Sequence, residues 1–203
     1  MRLIQSKDPC IKAKMEDLVD HPVIVRVGDI DDESMKDFFT DMQKAFSSPQ
    51  PVVPIVIDSC GGSAYTLMAM VDIIRSSPKP VSTVVVGKAM SAGGALLSFG
   101  TKGYRYVAPA ATLMIHEVSG WSGGKVEEVK ADAQEIERLN QTVFKMMAKN
   151  CGQKPNYFLE KIHQKSHAEW YLTANQVLRE RLADHVGVPT LSVRIEAKFD
   201  YSV

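Results

Sequence analysis

Residues 81–99 read Val-Ser-Thr-Val-Val-Val-Gly-Lys-Ala-Met-Ser-Ala-Gly-Gly-Ala-Leu-Leu-Ser-Phe. The first six form a mostly β-branched run, which predicts a buried strand over Val81 to Val86. Gly87 and a string of small residues then turn the chain into a helix predicted over Ser91 to Phe99. A serine at such a strand-to-helix turn has the geometry a nucleophile needs. The sharp turn exposes the hydroxyl, and the free N–H groups of a helix start favour developing negative charge. The pattern Ala89-x-Ser91-x-Gly93 is not specific by itself, and alone it fits a serine N-cap in a glycine-rich turn.

Upstream, Val52 to Ile57 predicts a second strand. It enters Asp58-Ser59-Cys60-Gly61-Gly62-Ser63, a turn opening a helix that ends near Ser76, before Pro78 and Pro80. Before it, Val23 to Val27 reads as a strand. Asp29 to Ser34 offer N-caps, and Met35, Phe38, Phe39, Met42 and Phe46 fall at helical spacing. Downstream, two short strands are predicted over Tyr104 to Val107 and Thr112 to His116. Ser119 to Gly124 is a glycine-rich link. A long helix follows from Lys125 to about Asn150, with Val126, Val129, Ala133, Ile136, Asn140, Val143 and Met147 on its core-facing stripe. At ~1.5 Å per residue it is roughly 39 Å long, more than one small domain covers. A short helix (155–164), a strand from Trp170, a helix capped by Thr173 and a return to the sheet over 182–188 complete the chain. Strands alternating with helices give an α/β fold with a largely parallel sheet. The expected divisions are an N-terminal arm (1–21), one domain (22–189) including the long helix 125–150, and a C-terminal tail (190–203).

The 203 residues suffice for one such domain, and 45% hydrophobic with 24% charged residues is ordinary for a chain with a packed core. Lys plus Arg equals Asp plus Glu, 24 each, which argues against nucleic acid or an anionic membrane as main partner. The scattered Cys10, Cys60 and Cys151 form neither a disulfide framework nor a metal site, and no cofactor is expected. The first residues lack a signal peptide's apolar stretch and no segment approaches the ~20 apolar residues that span a bilayer, so a cytoplasmic location is expected.

Two further segments carry chemistry. The Gly61-Gly62 pair supplies unshielded backbone N–H groups, which with the Ala92 N–H can form an oxyanion hole; a tight turn needing positive φ explains the pair equally well. In Met114-Ile115-His116-Glu117 a histidine ends an apolar strand beside a glycine-rich loop. The remaining histidines, His21, His163, His167 and His185, lie mostly in polar surroundings and are expected to be solvated. Two glycine turns and one histidine, all at strand ends, can converge on one sheet edge, where active sites of open α/β folds collect.

Taken together the segments resemble the proteolytic subunit of the Clp protease, the ClpP family. Ile57 to Ser63 is similar to the family's I-N-S-P-G-G-S, and Gly87 to Gly93 to its G-x-A-A-S-M-G. Leu113 to His116 is similar to its M-I-H strand, Tyr171-Leu172-Thr173-Ala174 to F-L-S-A, and Leu182-Ala183-Asp184 to the end of G-L-V-D. The resemblance spans about Val23 to Val188. It implies a ClpP/crotonase-type fold with a protruding handle helix, and heptameric rings stacked in pairs around a chamber that an AAA+ unfoldase supplies with polypeptide. It also implies Ser91 as nucleophile, His116 as base, Gly62 and Ala92 as oxyanion donors, and Gly61, Ser63 and Ser119 beside a substrate held as an added strand.

Three departures stand out. Cys60 replaces the proline before the glycine pair, the arm is unlike the family's axial-loop segment, and Lys165 occupies the position of the triad aspartate, with Glu169 the acid nearest in sequence. The leading expectation is a serine endopeptidase working as a slow Ser–His dyad, with Glu169 as third member the alternative. The competing readings are a catalytically silent ring subunit, a crotonase-type acyl-CoA enzyme, and a Ser–Lys peptidase using Lys165.

Overall fold

The computed structural model describes residues 22–166 and 168–190; the expected arm and nearly all of the expected tail lie outside them. The described residues form one seven-stranded sheet with helices packed on it. Strands β1 (Val25–Val27), β2 (Val53–Ser59), β3 (Val81–Met90), β4 (Arg105–Val107) and β7 (His185–Val186) run parallel in that spatial order. β2 and the first half of β3 are buried on both faces, which is why they read as continuous apolar runs rather than alternating ones.

The strand β3 extends further than its sequence predicts. Gly87 to Met90 reads as a turn, yet the strand continues to Met90 because it changes partner partway along. Thr83 to Val85 pair with β4, whereas Lys88 to Met90 pair with β5 (Thr112–Ile115). A register shift against β2 between Ile57 and Ser59 absorbs the extra residues. Tertiary pairing here overrides weak local β-propensity. From β5 the sheet turns antiparallel into β6 (Trp170–Thr173).

Helix α1 (Asp32–Ser47) opens with a reciprocal capping box, in which Asp31 accepts from the Ser34 N–H at 2.8 Å and the Asp31 N–H donates to Ser34 Oγ at 3.0 Å. It buries Phe38, Met42 and Ala45, while Phe39 turns outward. Helices α2 (Ala64–Arg75) and α3 (Ala92–Leu97) follow β2 and β3. Helix α4 (Val126–Asn150) is the long one; α5 (Tyr157–His163) and α6 (Ala174–Arg179) complete the set.

The stripe on α4 divides in two. Leu139, Asn140, Val143, Phe144, Met147 and Ala148 are buried in the chain's own core. Val126, Val129 and Ala133 lie uncovered on a half-helix that projects from the domain, with Val126 69% exposed. Among the described residues no helix is long and apolar enough to cross a membrane.

One ion pair fastens the C-terminal segment to β4. Arg105, 2% exposed, donates from Nε and Nη2 to the two oxygens of Asp184 at 2.9 and 2.6 Å, and the Gly103 N–H donates to the same carboxylate at 2.7 Å. Arg105 Nη1 also meets Cys151 Sγ at 3.6 Å. Burial pushes that thiol up to about 11, so it stays protonated and inert. His185 is exposed, as expected for a solvated side chain, but it also stacks on Tyr106 and meets the Gly103 carbonyl at 3.1 Å.

Candidate active site

Ser91 sits between β3 and α3 with φ 54° and ψ −121°, a conformation unusual for any residue with a Cβ. Such backbone costs about 1–3 kcal/mol and persists only where its surroundings over-determine it. Here the Ser91 N–H donates to the Met114 carbonyl at 2.8 Å, and the Ser91 carbonyl accepts from Ala95 at 3.0 Å. The side chain makes no capping hydrogen bond, so an ordinary N-cap role does not explain this serine.

The glycine pair lies against it. Gly61 has φ +99°, and a Cβ there would stand 2.7 Å from Ser91 Cβ. Gly62 has φ +146°, and a Cβ there would stand 2.1 Å from the Ile30 carbonyl oxygen. Ile30 fixes the turn by donating to the Gly61 carbonyl at 2.9 Å and accepting from the Ser63 N–H at 2.7 Å. Cys60 does not loosen it, because Ser59 Oγ accepts the Gly61 N–H at 2.9 Å and holds the turn from the other side. Among the described residues the Gly62 N–H has no hydrogen-bond partner, and the Ala92 N–H, first in its helix, has none within that helix.

These elements open onto one cleft of about 380 Å³. Ser91, Ala92, Gly62, Ser63, His116 and Ser119 all line it. Leu139, Val143, Phe144 and Met147 of α4 give it an apolar floor. His116 directly follows β5, whose pairing with β3 sets both strand ends side by side. No hydrogen bond links Ser91 to His116 among the described residues. Such contacts are often long in unliganded sites and tighten with substrate.

Several supports of the cleft were given no role there by the sequence reading. Asn140, the polar exception of the α4 stripe, is 5% exposed. It accepts from the Val118 N–H at 3.0 Å and donates to Glu117 at 3.3 Å, tying the segment after His116 to the helix. Glu117 also meets His163 Nε2 at 3.3 Å. Across the cleft, Tyr65 donates to Glu135 at 2.7 Å, and Arg138 pairs with the same carboxylate at 2.7 Å. Arg138 first and Tyr65 second hold the Glu135 carboxyl down at about 2. Its interruption of an apolar stripe is the sequence signal that marks Asn140, though not its partners.

Lys165 lines a separate groove with Lys161, Arg179 and Glu180, and is not among the residues of the cleft. Glu169 accepts a hydrogen bond from Tyr171 Oη at 2.8 Å. Neither is bonded to His116.

The Gly62→Ala chain should be destabilised by about 2–4 kcal/mol, since strain and a backbone clash combine. A urea midpoint unchanged from the parent would show that the turn relaxes freely and that the glycine is not required.

The Clp protease family model matches residues 6–190. The ATP-dependent Clp protease proteolytic subunit 3 of Streptomyces coelicolor is 31% identical over 146 residues, or 72% of this chain. The chain spans 65% of that relative's length.

Proposed function

This chain belongs to the Clp protease family, and from that premise we propose that it is a serine endopeptidase subunit acting on unfolded polypeptide, with Ser91 as nucleophile and His116 as general base. What supports this most directly is the strained Ser91 backbone in a cleft that His116 shares, beside the Gly62 and Ala92 N–H groups, which have no partner among the described residues. In acylation, Ser91 Oγ bonds to the scissile carbonyl carbon while an imidazole nitrogen of His116 takes its proton. The carbonyl π electrons move onto oxygen, where the Gly62 and Ala92 N–H groups receive the charge. The C–N bond then breaks as His116 passes the proton to the departing amine. Water repeats the sequence and releases Ser91. Gly61 backs the nucleophile, and Ser63 and Ser119 flank an extended substrate strand.

The test is a fluorophosphonate serine-hydrolase probe followed by peptide mass spectrometry. Labelling mapped to Ser91 is expected. An unlabelled but folded chain would favour the second reading, a catalytically silent ring subunit.

The reading extends to assembly in a cytoplasmic setting. The uncovered half of α4 packs on a second copy within heptameric rings stacked in pairs, to which an AAA+ unfoldase delivers substrate. Charge belongs at Val126 and Val129 to test this, because Val143 packs inside its own subunit and a charge there would unfold the chain. Val126→Lys with Val129→Glu should shift sedimentation from a large species to small ones at an unchanged melting temperature. A parent chain that sediments as a monomer at micromolar concentration would refute the assembly.

A further inference from the structure

Lys161, Lys165 and Arg179 line one groove of about 330 Å³, separate from the cleft that holds Ser91. Lys161 comes from the last turn of α5, and Lys165 follows two residues beyond that helix. Arg179 ends α6. Like charges gathered in one groove repel, so their convergence calls for an account. Among the described residues none of the three forms an ion pair. Lys161 Nζ lies 5.5 Å from the centroid of the Tyr157 ring, an attraction that leaves its charge uncompensated. Glu180, the acid that lines the groove, already accepts from Tyr157 Oη at 2.6 Å. The two helix C-termini add at most about half a negative charge each. Set against three cations, Glu180 and these dipoles leave an excess of about one positive charge. Gln176 also lines the groove. Its Oε1 accepts from the Thr173 N–H and hydroxyl at 2.8 and 2.9 Å, which leaves its amide N–H groups as donors.

We propose that this groove is a binding site for a small phosphate dianion, which Arg179 holds with its guanidinium fork and Lys161 and Lys165 hold as point charges. The site goes beyond the peptidase reading and does not depend on it. Charge alone calls for an anion, and the donor set selects among anions. A carboxylate is planar, and one guanidinium satisfies both of its oxygens. Donors arriving from two helices suit a tetrahedral group that offers oxygens in several directions. Trp170 and Leu172 of β6, 5% and 1% exposed, also line the groove. Their apolar surface keeps water from part of the site, and a charge-assisted bond is stronger where the dielectric is low. A polymeric polyanion is the poorer fit, because a chain of zero net formal charge gives it no wider basic face to follow. A bound phosphate cancels the repulsion among the cations and ties the end of α5 to the end of α6.

The test is calorimetric titration of the full chain with inorganic phosphate, pyrophosphate and acetate at fixed ionic strength, with melting curves alongside. Phosphate should bind with Kd about 0.1–1 mM and pyrophosphate more tightly, whereas acetate should not bind at 10 mM. At 5 mM, pyrophosphate should raise the melting temperature by about 2–8 °C. Arg179→Gln should weaken phosphate about tenfold, and Lys165→Gln with Arg179→Gln should abolish binding. Lys165 and Arg179 are exposed, so both chains are expected to fold. In phosphate-free buffer the double variant should melt at or above the parent, since it removes repulsion. Melting well below the parent in that buffer would assign the cations to their helix ends and overturn the site. Phosphate that fails to bind at 10 mM would overturn it, as would binding unchanged in the double variant. Acetate binding as tightly as phosphate would refute the choice of anion. None of these results bears on the labelling of Ser91, so the proposed function stands or falls separately.

Discussion

Ser91→Ala should lower peptide hydrolysis by about 10³–10⁶-fold and abolish fluorophosphonate labelling, with the fold and assembly intact. The range is wide because the loss is measured against a parent rate that depends on how well His116 is oriented. The backbone supplies an independent reading of the same position. At φ 54° and ψ −121° an alanine keeps the strain that the serine carries, whereas glycine relieves it. Ser91→Gly should therefore raise the unfolding free energy by about 1 kcal/mol while Ser91→Ala leaves it nearly unchanged. Both should be equally inactive. A strained residue whose relief stabilises the fold and removes activity is what a nucleophile turn predicts, and a structural serine does not give that pair of results. Hydrolysis and labelling that survive in Ser91→Ala would end the assignment.

Asp184→Asn should destabilise the domain by about 3–5 kcal/mol, a large share of the roughly 5–15 kcal/mol that holds a domain of this size together. The loss comes from Arg105, which keeps its charge at 2% exposure and loses its counter-ion. Burial pushes the Asp184 carboxyl up, but the Arg105 hydrogen bonds and charge, with the Gly103 and Arg105 N–H groups, outweigh it and hold it below the usual range. A carboxyl with a lowered folded pKa contributes stability that is present above its unfolded value. That stability is lost as pH falls through the folded value. The parent should thus weaken steeply below about pH 4, and the Asn chain should lack this part of the acid slope. Replacing both partners with apolar residues, Arg105→Met with Asp184→Leu, should cost less than Asp184→Asn alone. Urea midpoints between pH 3 and 8 decide it, and a loss under 1 kcal/mol in Asp184→Asn at pH 7 would show the pair is dispensable.

The parts of the fold set by local pattern were legible in the chain. The apolar runs of β2 and β3 and the three-and-four spacing of α4 each state their own structure. What was not legible depends on neighbours distant in sequence. Gly87 to Met90 carries no strand signal, yet forms one because β5 lies alongside. Val126 and Val143 look alike on the α4 stripe, but only the second has the domain beneath it. The site divides in the same way. The glycine pair announces itself through a residue type that positive φ requires, whereas nothing in a serine at position 91 foretells its φ of 54°. His116 was singled out by its place at a strand end, and it lines the same cleft as Ser91. Which residue of β6 faces which residue of β5 is decided by register across the ladder, not by spacing along the chain.

The strand order also has a consequence for synthesis. β1, β2, β3 and β4 are neighbours in space in the order in which they leave the ribosome, so most of the parallel sheet can assemble on the growing chain. The edge of β4 is the exception. Its partner β7 and the counter-ion for Arg105 arrive only 79 residues later. Contacts that distant close slowly. Until they do, a guanidinium destined for the core must stay in water, and the β4 edge remains an open template for another chain. A subunit truncated before Asp184 should therefore stay loose at this edge.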